Sequence, residues 1–319
     1  MKVLVTGGAG FIGSHLSVAY QEMGNEVTII DDFSTGTNSN LQEFNGKLIQ
    51  GDIRDSALID SLTSDSDLVL HMAAALGVQN IMENPIESMS INILGSEVVL
   101  KAASKFKKRI MIASTSEIYG KNPKQPLSEE DDRVIGTPQN FRWSYSDAKA
   151  IEEAMARALN IRESLKVTTI RFFNTVGPKQ TGQYGMVIPR FVQSALRGED
   201  LSVHGTGDQT RVFCHVSDAV SAVIALLESN SSIGEVFNVG GKGEVSINEL
   251  ASKIIKELRS ESKIRHIPYL DAYPEGYEDM QRRVPNTSKI HKLTGWEPEH
   301  SLTAIIHDVA TYFRNQSQS

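Results

Sequence analysis

A single cysteine in 319 residues leaves no partner for an internal disulfide, so the fold must rest on its core rather than on cross-links. That residue, Cys214, lies between Phe213 and His215 in a strand-like run and reads as a small core side chain rather than a reactive thiol. A reducing, cytoplasmic setting is expected. No apolar run approaches the length that spans a bilayer, and the N-terminus enters a strand directly, which argues against a signal peptide. Basic residues are in deficit too, with 32 Lys+Arg against 39 Asp+Glu and a formal charge of −7. The densest basic run, Lys105 to Arg109, precedes a strand and reads as a solvated helix end. Neither nucleic acid nor a membrane is therefore an expected partner. Repeats and low-complexity segments are missing as well. What remains is an ordinary soluble composition, long enough for one large α/β domain or two lobes.

The most informative stretch is Met1 to Asp32. Val3-Leu4-Val5 reads as a buried strand, and Thr6-Gly7-Gly8-Ala9-Gly10-Phe11-Ile12-Gly13 follows it directly. Ser14 to Met23 has helical apolar spacing, Gly24-Asn25 ends the helix, and Val27 to Ile30 is a second strand closed by Asp31-Asp32. Strand, glycine-rich turn, helix and acid-tipped strand form a dinucleotide-binding βαβ unit. Gly7 allows the tight turn, Gly10 lets a pyrophosphate reach the helix N-terminus, and Gly13 lets the helix approach the sheet. An acid at the end of the second strand accepts both ribose hydroxyls and repels a 2′-phosphate. The cofactor is thus expected to be NAD, with Asp31 as ligand and Asp32 as its neighbour.

Further strands are expected at Lys47–Gln50, Leu68–His71, Arg109–Ala113 and Val167–Phe173. Helices are expected at Pro85–Ser104 and Tyr145–Ser164, the latter with Ala148, Ile151, Ala154, Met155 and Ala158 on its buried side. Strands alternating with helices give an α/β fold, a Rossmann-type doubly wound parallel sheet. Beyond Gly177 the pattern loosens. A helix over Ile188–Leu196, short strands at Leu201–His204 and Arg211–Val216, and a helix over Ser217–Glu228 capped by Ser217 are expected. Helices follow at Ser246–Arg259 and Ser301–Arg314, with Tyr269–Pro285 irregular. The division is residues 1–173 as the NAD-binding domain, with 212–240 returning to it. Residues 174–211 and 241–319 form a smaller substrate lobe.

Ligands in such sheets lie beyond the carboxyl ends of the strands. Gly7 to Gly13, Asp31, Asp52, Ala73-Ala74-Ala75, Ser114 to Glu117 and Phe173-Asn174 all fall there. Tyr145 and Lys149 stand at i and i+4 on one helix face. A tyrosine is a poor base at its free pKa near 10, but an ammonium and a nicotinamide cation beside it favour the phenolate.

These pieces resemble the extended short-chain dehydrogenase/reductase family, in particular its nucleotide-sugar epimerases, dehydratases and decarboxylases. The resemblance is carried by Thr6 to Gly13, Gly51-Asp52-Ile53-Arg54-Asp55, His71-Met72-Ala73-Ala74, Asn92-Ile93-Leu94-Gly95 and Ser114 to Gly120. It continues through the Tyr145/Lys149 pair, Arg171-Phe172-Phe173-Asn174 and Gly295-Trp296-Glu297-Pro298. It implies that Tyr145 takes the proton from a sugar O4, that Thr115 holds and relays it, and that Lys149 grips the nicotinamide ribose. It also implies cofactor contacts at Phe11, Ile12, Asp32, Asp52, Ile53, Ala73 to Ala75, Asn92 and Ser114. Nucleotide-sugar contacts are implied at Gly77, Val78, Ser116, Asn174, Val187, Arg190, His204, Arg211 and Arg283. No metal is assigned, and a homodimer through the helices at Asn84–Lys105 and Tyr145–Ser164 is the family expectation.

The fate of the oxidised sugar stays open at this point. A UDP-sugar 4-epimerase is the preferred reading, because the segments around Gly51, Gly77 and Asn92 resemble the epimerases. Lys179 also stands where sugar-acid decarboxylases usually carry arginine. The alternatives are a UDP-glucuronate decarboxylase or a 4,6-dehydratase, because Thr115-Ser116-Glu117 places a carboxylate that simple epimerases often lack. A non-catalytic NAD(H) sensor is the competing class, though it has no use for Thr115, Tyr145 and Lys149 together.

Overall fold

The alternating apolar runs become a seven-stranded parallel sheet in the computed structural model, which describes residues 1–77, 81, 83–182, 186–273 and 278–316. Its first six strands are β1 (Lys2–Thr6), β2 (Glu26–Asp31), β3 (Lys47–Gln50), β4 (Leu68–His71), β5 (Arg109–Thr115) and β6 (Lys166–Phe172). Short strands β7 (Thr175–Val176), β8 (Leu201–His204), β9 (Thr210–Arg211) and β10 (Cys214–His215) follow. The chain then returns as β11 (Val236–Val239), which pairs in parallel with β6. The order β3-β2-β1-β4-β5-β6-β11 reverses direction between β1 and β4, where a ligand crevice opens.

The two-residue period of a strand sends alternate side chains to opposite faces. Val3 and Val5 accordingly join one core, with Leu16 and Tyr20 of the helix Phe11–Glu22 and Val223 of the helix Val216–Glu228. Leu4 joins the other, with Ile59, Val99, Leu100 and Ala156 from three helices. A third core forms where the helices Val187–Arg197, Ile247–Leu258 and Leu302–Gln316 pack together beside β8. Ser246 and Glu249 cap the middle one of these reciprocally. Ile290 and Trp296, which the sequence places in the smaller lobe, pack instead with the large sheet.

Several local expectations change. Helix Pro85–Ser90 runs through one π turn, Ile91–Gly95, into helix Ser96–Lys105. The cap of Val216–Glu228 is His215, whose Nδ1 accepts the Ser217 N–H at 3.1 Å, rather than Ser217 itself. The Arg211–Val216 strand breaks into the separate pieces β9 and β10. Tyr269–Pro285 holds a short helix, Tyr269–Ala272, and a strand, Arg282–Arg283.

The largest change is the helix Ser144–Glu163. Its buried face carries Ala148, Lys149, Glu152 and Ala156, while Ile151, Ala154 and Ala158 are exposed. Ile151, Ala154 and Ala158 face outward, while Lys149 and Glu152 are buried beside Ala148, Ala156 and the inward-packed Met155.

Candidate active site

At the turn after β1, the chain can bend only through glycine. Gly7 has φ +68°, and a Cβ there would sit 2.6 Å from the Ala73 nitrogen. At Gly13 a Cβ would meet the Gly7 carbonyl oxygen at 2.2 Å, so the helix Phe11–Glu22 starts hard against the turn. Asp31 fastens the same turn from the end of β2, its carboxylate accepting the N–H groups of Ala9 (2.9 Å) and Phe33 (2.8 Å). Burial raises its pKa against the pull of those N–H groups. Asp32 is exposed and accepts from Ser34 Oγ at 2.6 Å.

From here a cavity of about 460 Å³ runs along the strand ends into the smaller lobe. Gly7, Gly10, Phe11, Ile12, Gly13, Asp31, Asp32, Asp52, Ile53, Ala73, Ala74, Ala75 and Ser114 line its cofactor half. Asn92 does not. Its amide is spent on the backbone of Ala75, accepting from the N–H (2.8 Å) and donating to the carbonyl (2.9 Å), so it shapes the wall from behind. Asp52 is held by Arg54, whose guanidinium keeps its carboxyl below the usual range.

Thr115, Ser116, Glu117 and Tyr145 meet at the end of β5. Thr115 Oγ1 accepts the Glu117 N–H at 3.2 Å, starting the short 3-10 turn Ser116–Tyr119. Glu117 receives a fork from Arg142 at 2.6 and 3.1 Å, and Arg283 lies 3.5 Å away. Although burial works against the charge, these two arginines together hold the Glu117 carboxyl at about 2. Arg142 escapes a sequence reading, since nothing marks a basic residue three before Tyr145 as pointing inward.

Burial raises the Tyr145 pKa, and the carboxylates of Glu117 and Glu152 add to the rise. Lys149 does not line the cavity. It is buried one helical turn on, its ammonium 2.7 Å from Glu152.

Gly77, Ser116, Asn174, Val187, Arg190, His204, Arg211 and Arg283 line the second half of the cavity, while Val78 lies outside the described residues. Arg283 donates to the Asn174 side chain, and Arg211 pairs with Asp279 at 2.7 Å. Arg190 donates to His204 Nε2 at 2.7 Å, which leaves the ring proton on Nδ1, 3.1 Å from the Tyr273 hydroxyl. Burial and Arg190 lower the His204 pKa to about 4, so the ring is neutral at physiological pH. Asp279 and Tyr273 are further cavity residues in a stretch that reads as plain loop.

Away from the cavity, ligand atoms of His215, His300 and Asp308 lie within 4.8 Å of one another. The Ser217 N–H on His215 Nδ1 puts the ring proton on Nε2, facing Asp308 at 3.5 Å. A proton on Nε2 leaves no lone pair there for a cation.

A Rossmann sheet whose glycine turn shares a cavity with Tyr145, with Lys149 buried one helical turn on, has the features of the NAD-dependent extended short-chain dehydrogenases/reductases. The family model described as GDP-mannose 4,6 dehydratase matches residues 4–309, and the chain belongs to that family. A UDP-N-acetyl-alpha-D-glucosaminuronate decarboxylase of Bacillus cytotoxicus is 41% identical over 98% of both chains. UDP-glucuronic acid decarboxylase 1 of Xenopus tropicalis is 36% identical over 99% of this chain and 72% of its own. Among solved structures, UDP-glucuronic acid 4-epimerase from Bacillus cereus, in complex with UDP-glucuronic acid and NAD, superposes with a TM-score of 0.89. It is 27% identical and covers 99% of this chain and 100% of its own. No helix among the described residues is long and apolar enough to cross a membrane.

Proposed function

We propose that this protein is an NAD-dependent decarboxylase of a UDP-linked hexuronic acid. The observation carrying the reading is a pair of buried polar atoms without partners among the described residues. Ser116 Oγ and Arg283 Nε both belong to residues lining the cavity beside Glu117. Each such orphan costs about 1–3 kcal/mol, and a substrate carboxylate would satisfy both. The 41% likeness to a hexuronate decarboxylase over nearly the whole chain supports the same choice. The 4-epimerase preferred from sequence gives way here to the lyase alternative. The epimerase remains a second reading through the structural neighbour that binds UDP-glucuronic acid.

In this reading, the turn Gly7 to Gly13, Asp31 and Ala73 to Ala75 would hold NAD⁺, which when bound would supply a reversible hydride acceptor for C4 of the sugar. Tyr145 accepts the O4 proton while Thr115 holds the oxygen. With C4 a ketone, the C6 carboxylate is β to a carbonyl. The C5–C6 bond then breaks, carbon dioxide leaves, and the electron pair moves to O4 as an enolate. C5 takes a proton from solvent, and Tyr145 returns its proton to O4 as the C4 hydroxyl is restored. Arg283 anchors the carboxylate, and Glu117 with Arg142 fixes Arg283. Arg211, Arg190 and His204 hold the nucleotide diphosphate. Residues 1–173 with 212–240 serve as the cofactor domain, the rest as the substrate lobe. A homodimer forms across the exposed stripe of Ile151, Ala154 and Ala158, joined by Ile86 and Leu94.

The test is incubation with UDP-glucuronate and UDP-N-acetylglucosaminuronate, with products identified by mass and NMR. Loss of carbon dioxide is expected from at least one of them. An unchanged mass with a new stereoisomer would install the epimerase instead, and loss of water the dehydratase.

A further inference from the structure

On the inward face of the helix Ser144–Glu163, Tyr145, Lys149 and Glu152 fall at i, i+4 and i+7, two turns of one stripe. Glu152 has no exposed surface. One of its oxygens takes the Lys149 ammonium at 2.7 Å, and the other lies 4.0 Å from His71 Nε2. His71 bridges Thr6 Oγ1 (2.7 Å) and Ser96 Oγ (3.0 Å), and Ser96 also faces the Glu152 carboxylate. Thr6 donates to His71 Nδ1, His71 Nε2–H to Ser96, and Lys149 to one Glu152 oxygen, while the other Glu152 oxygen stays without a hydrogen-bond partner among the described residues. Burial raises the Glu152 pKa, and the Lys149 ammonium with Ser96 beside it pulls it back. Burial lowers the His71 pKa to about 3, so it stays neutral and adds no charge.

We infer that Glu152 is a positioning residue for the Tyr145/Lys149 pair, anchoring the ammonium and setting the charge felt by the phenol. The bookkeeping of protons gives the direction. With Glu152 ionised and Lys149 charged, the cluster is neutral while Tyr145 is protonated, and losing a proton makes it an anion in a buried site. Without the Glu152 charge the same step runs from cation to neutral, and that is easier whichever of Tyr145 and Lys149 releases the proton. Glu152 therefore keeps the phenol protonated until the nicotinamide cation arrives, and keeps a proton at hand for the returning O4. The groups that bear on this stripe are Glu117 and Glu152 at Tyr145, and Lys149, His71, Ser96 and Glu153 at Glu152.

The inference rests on the proposed role of Tyr145 but needs no particular sugar. Tyrosinate absorbance of the NAD-bound protein is titrated, with Tyr145→Phe as the blank. Glu152→Gln is expected to lower the first ionisation of the pair by about one unit or more, and Glu152→Asp, which keeps the charge, to leave it near the wild-type position. An unshifted or raised value in Glu152→Gln overturns the inference. Should Glu152→Gln not fold, the wild-type protein without cofactor decides. Tyr145 must then titrate above free tyrosine and fall on NAD binding, and a value already below free tyrosine overturns it. If the shift is found and no UDP-hexuronate is converted, the decarboxylase reading fails while this one stands.

Discussion

In the proposed reaction Tyr145 is the residue on which turnover depends. Replacing it with phenylalanine is expected to reduce conversion by about 10²- to 10⁴-fold while NAD still binds, as measured by cofactor titration beside product analysis. Intact ligand response with no conversion in the wild type would favour a sensor. Glu117 gives a second outcome. Its folded pKa of about 2 lies below the unfolded value near 4.3. Its ion pairs therefore stabilise the fold fully above that value and lose their contribution as pH falls from about 4.3 to about 2. The gap in melting temperature between wild type and Glu117→Gln should shrink across that window. The acid-tipped second strand and the glycine turn were legible because each residue type has one physical use there. Arg142, Asp279 and Glu152 were not, because a buried charge looks like a surface charge until the fold supplies its partner.

At the scale of elements, the wall of the cofactor half depends on the π turn Ile91–Gly95. Asn92→Ala leaves the N–H and carbonyl of Ala75 without the amide that satisfies them, and each costs about 1–3 kcal/mol when buried. Weaker NAD binding and a lower melting temperature are expected, read by cofactor titration and calorimetry. A normal affinity would show that the wall stands alone. The sheet could be read in advance because buried parallel strands are continuous apolar runs. On the helix Ser144–Glu163 the expected buried side holds for Ala148 and Met155 but not for Ile151, Ala154 and Ala158, which satisfy the helical period as well as any core stripe does. Periodicity reports that a face is apolar, not what covers it.

For the whole molecule, the exposed Ile86 and Leu94 and the outward stripe of Ser144–Glu163 lie on elements packed against one another. Ile151→Asp should yield monomers in sedimentation at concentrations where the wild type is a dimer, and a wild type that is itself monomeric removes that assembly. His15 Nε2 pairs with the Pro178 carbonyl at 3.0 Å and Lys179 with Glu43 at 2.9 Å, which ties the helix Phe11–Glu22 and the chain after β2 to the segment after β7.

In the proposed homodimer, the helix Ser144–Glu163 would tie quaternary structure to chemistry. One rod would carry Tyr145, Lys149 and Glu152 on its hidden side and the proposed mating surface on its other, so a neighbour's grip would brace the very backbone that aims the phenol. Specific activity should then fall on dilution through the dissociation range, and recover on reconcentration, with no change in any residue that meets the sugar.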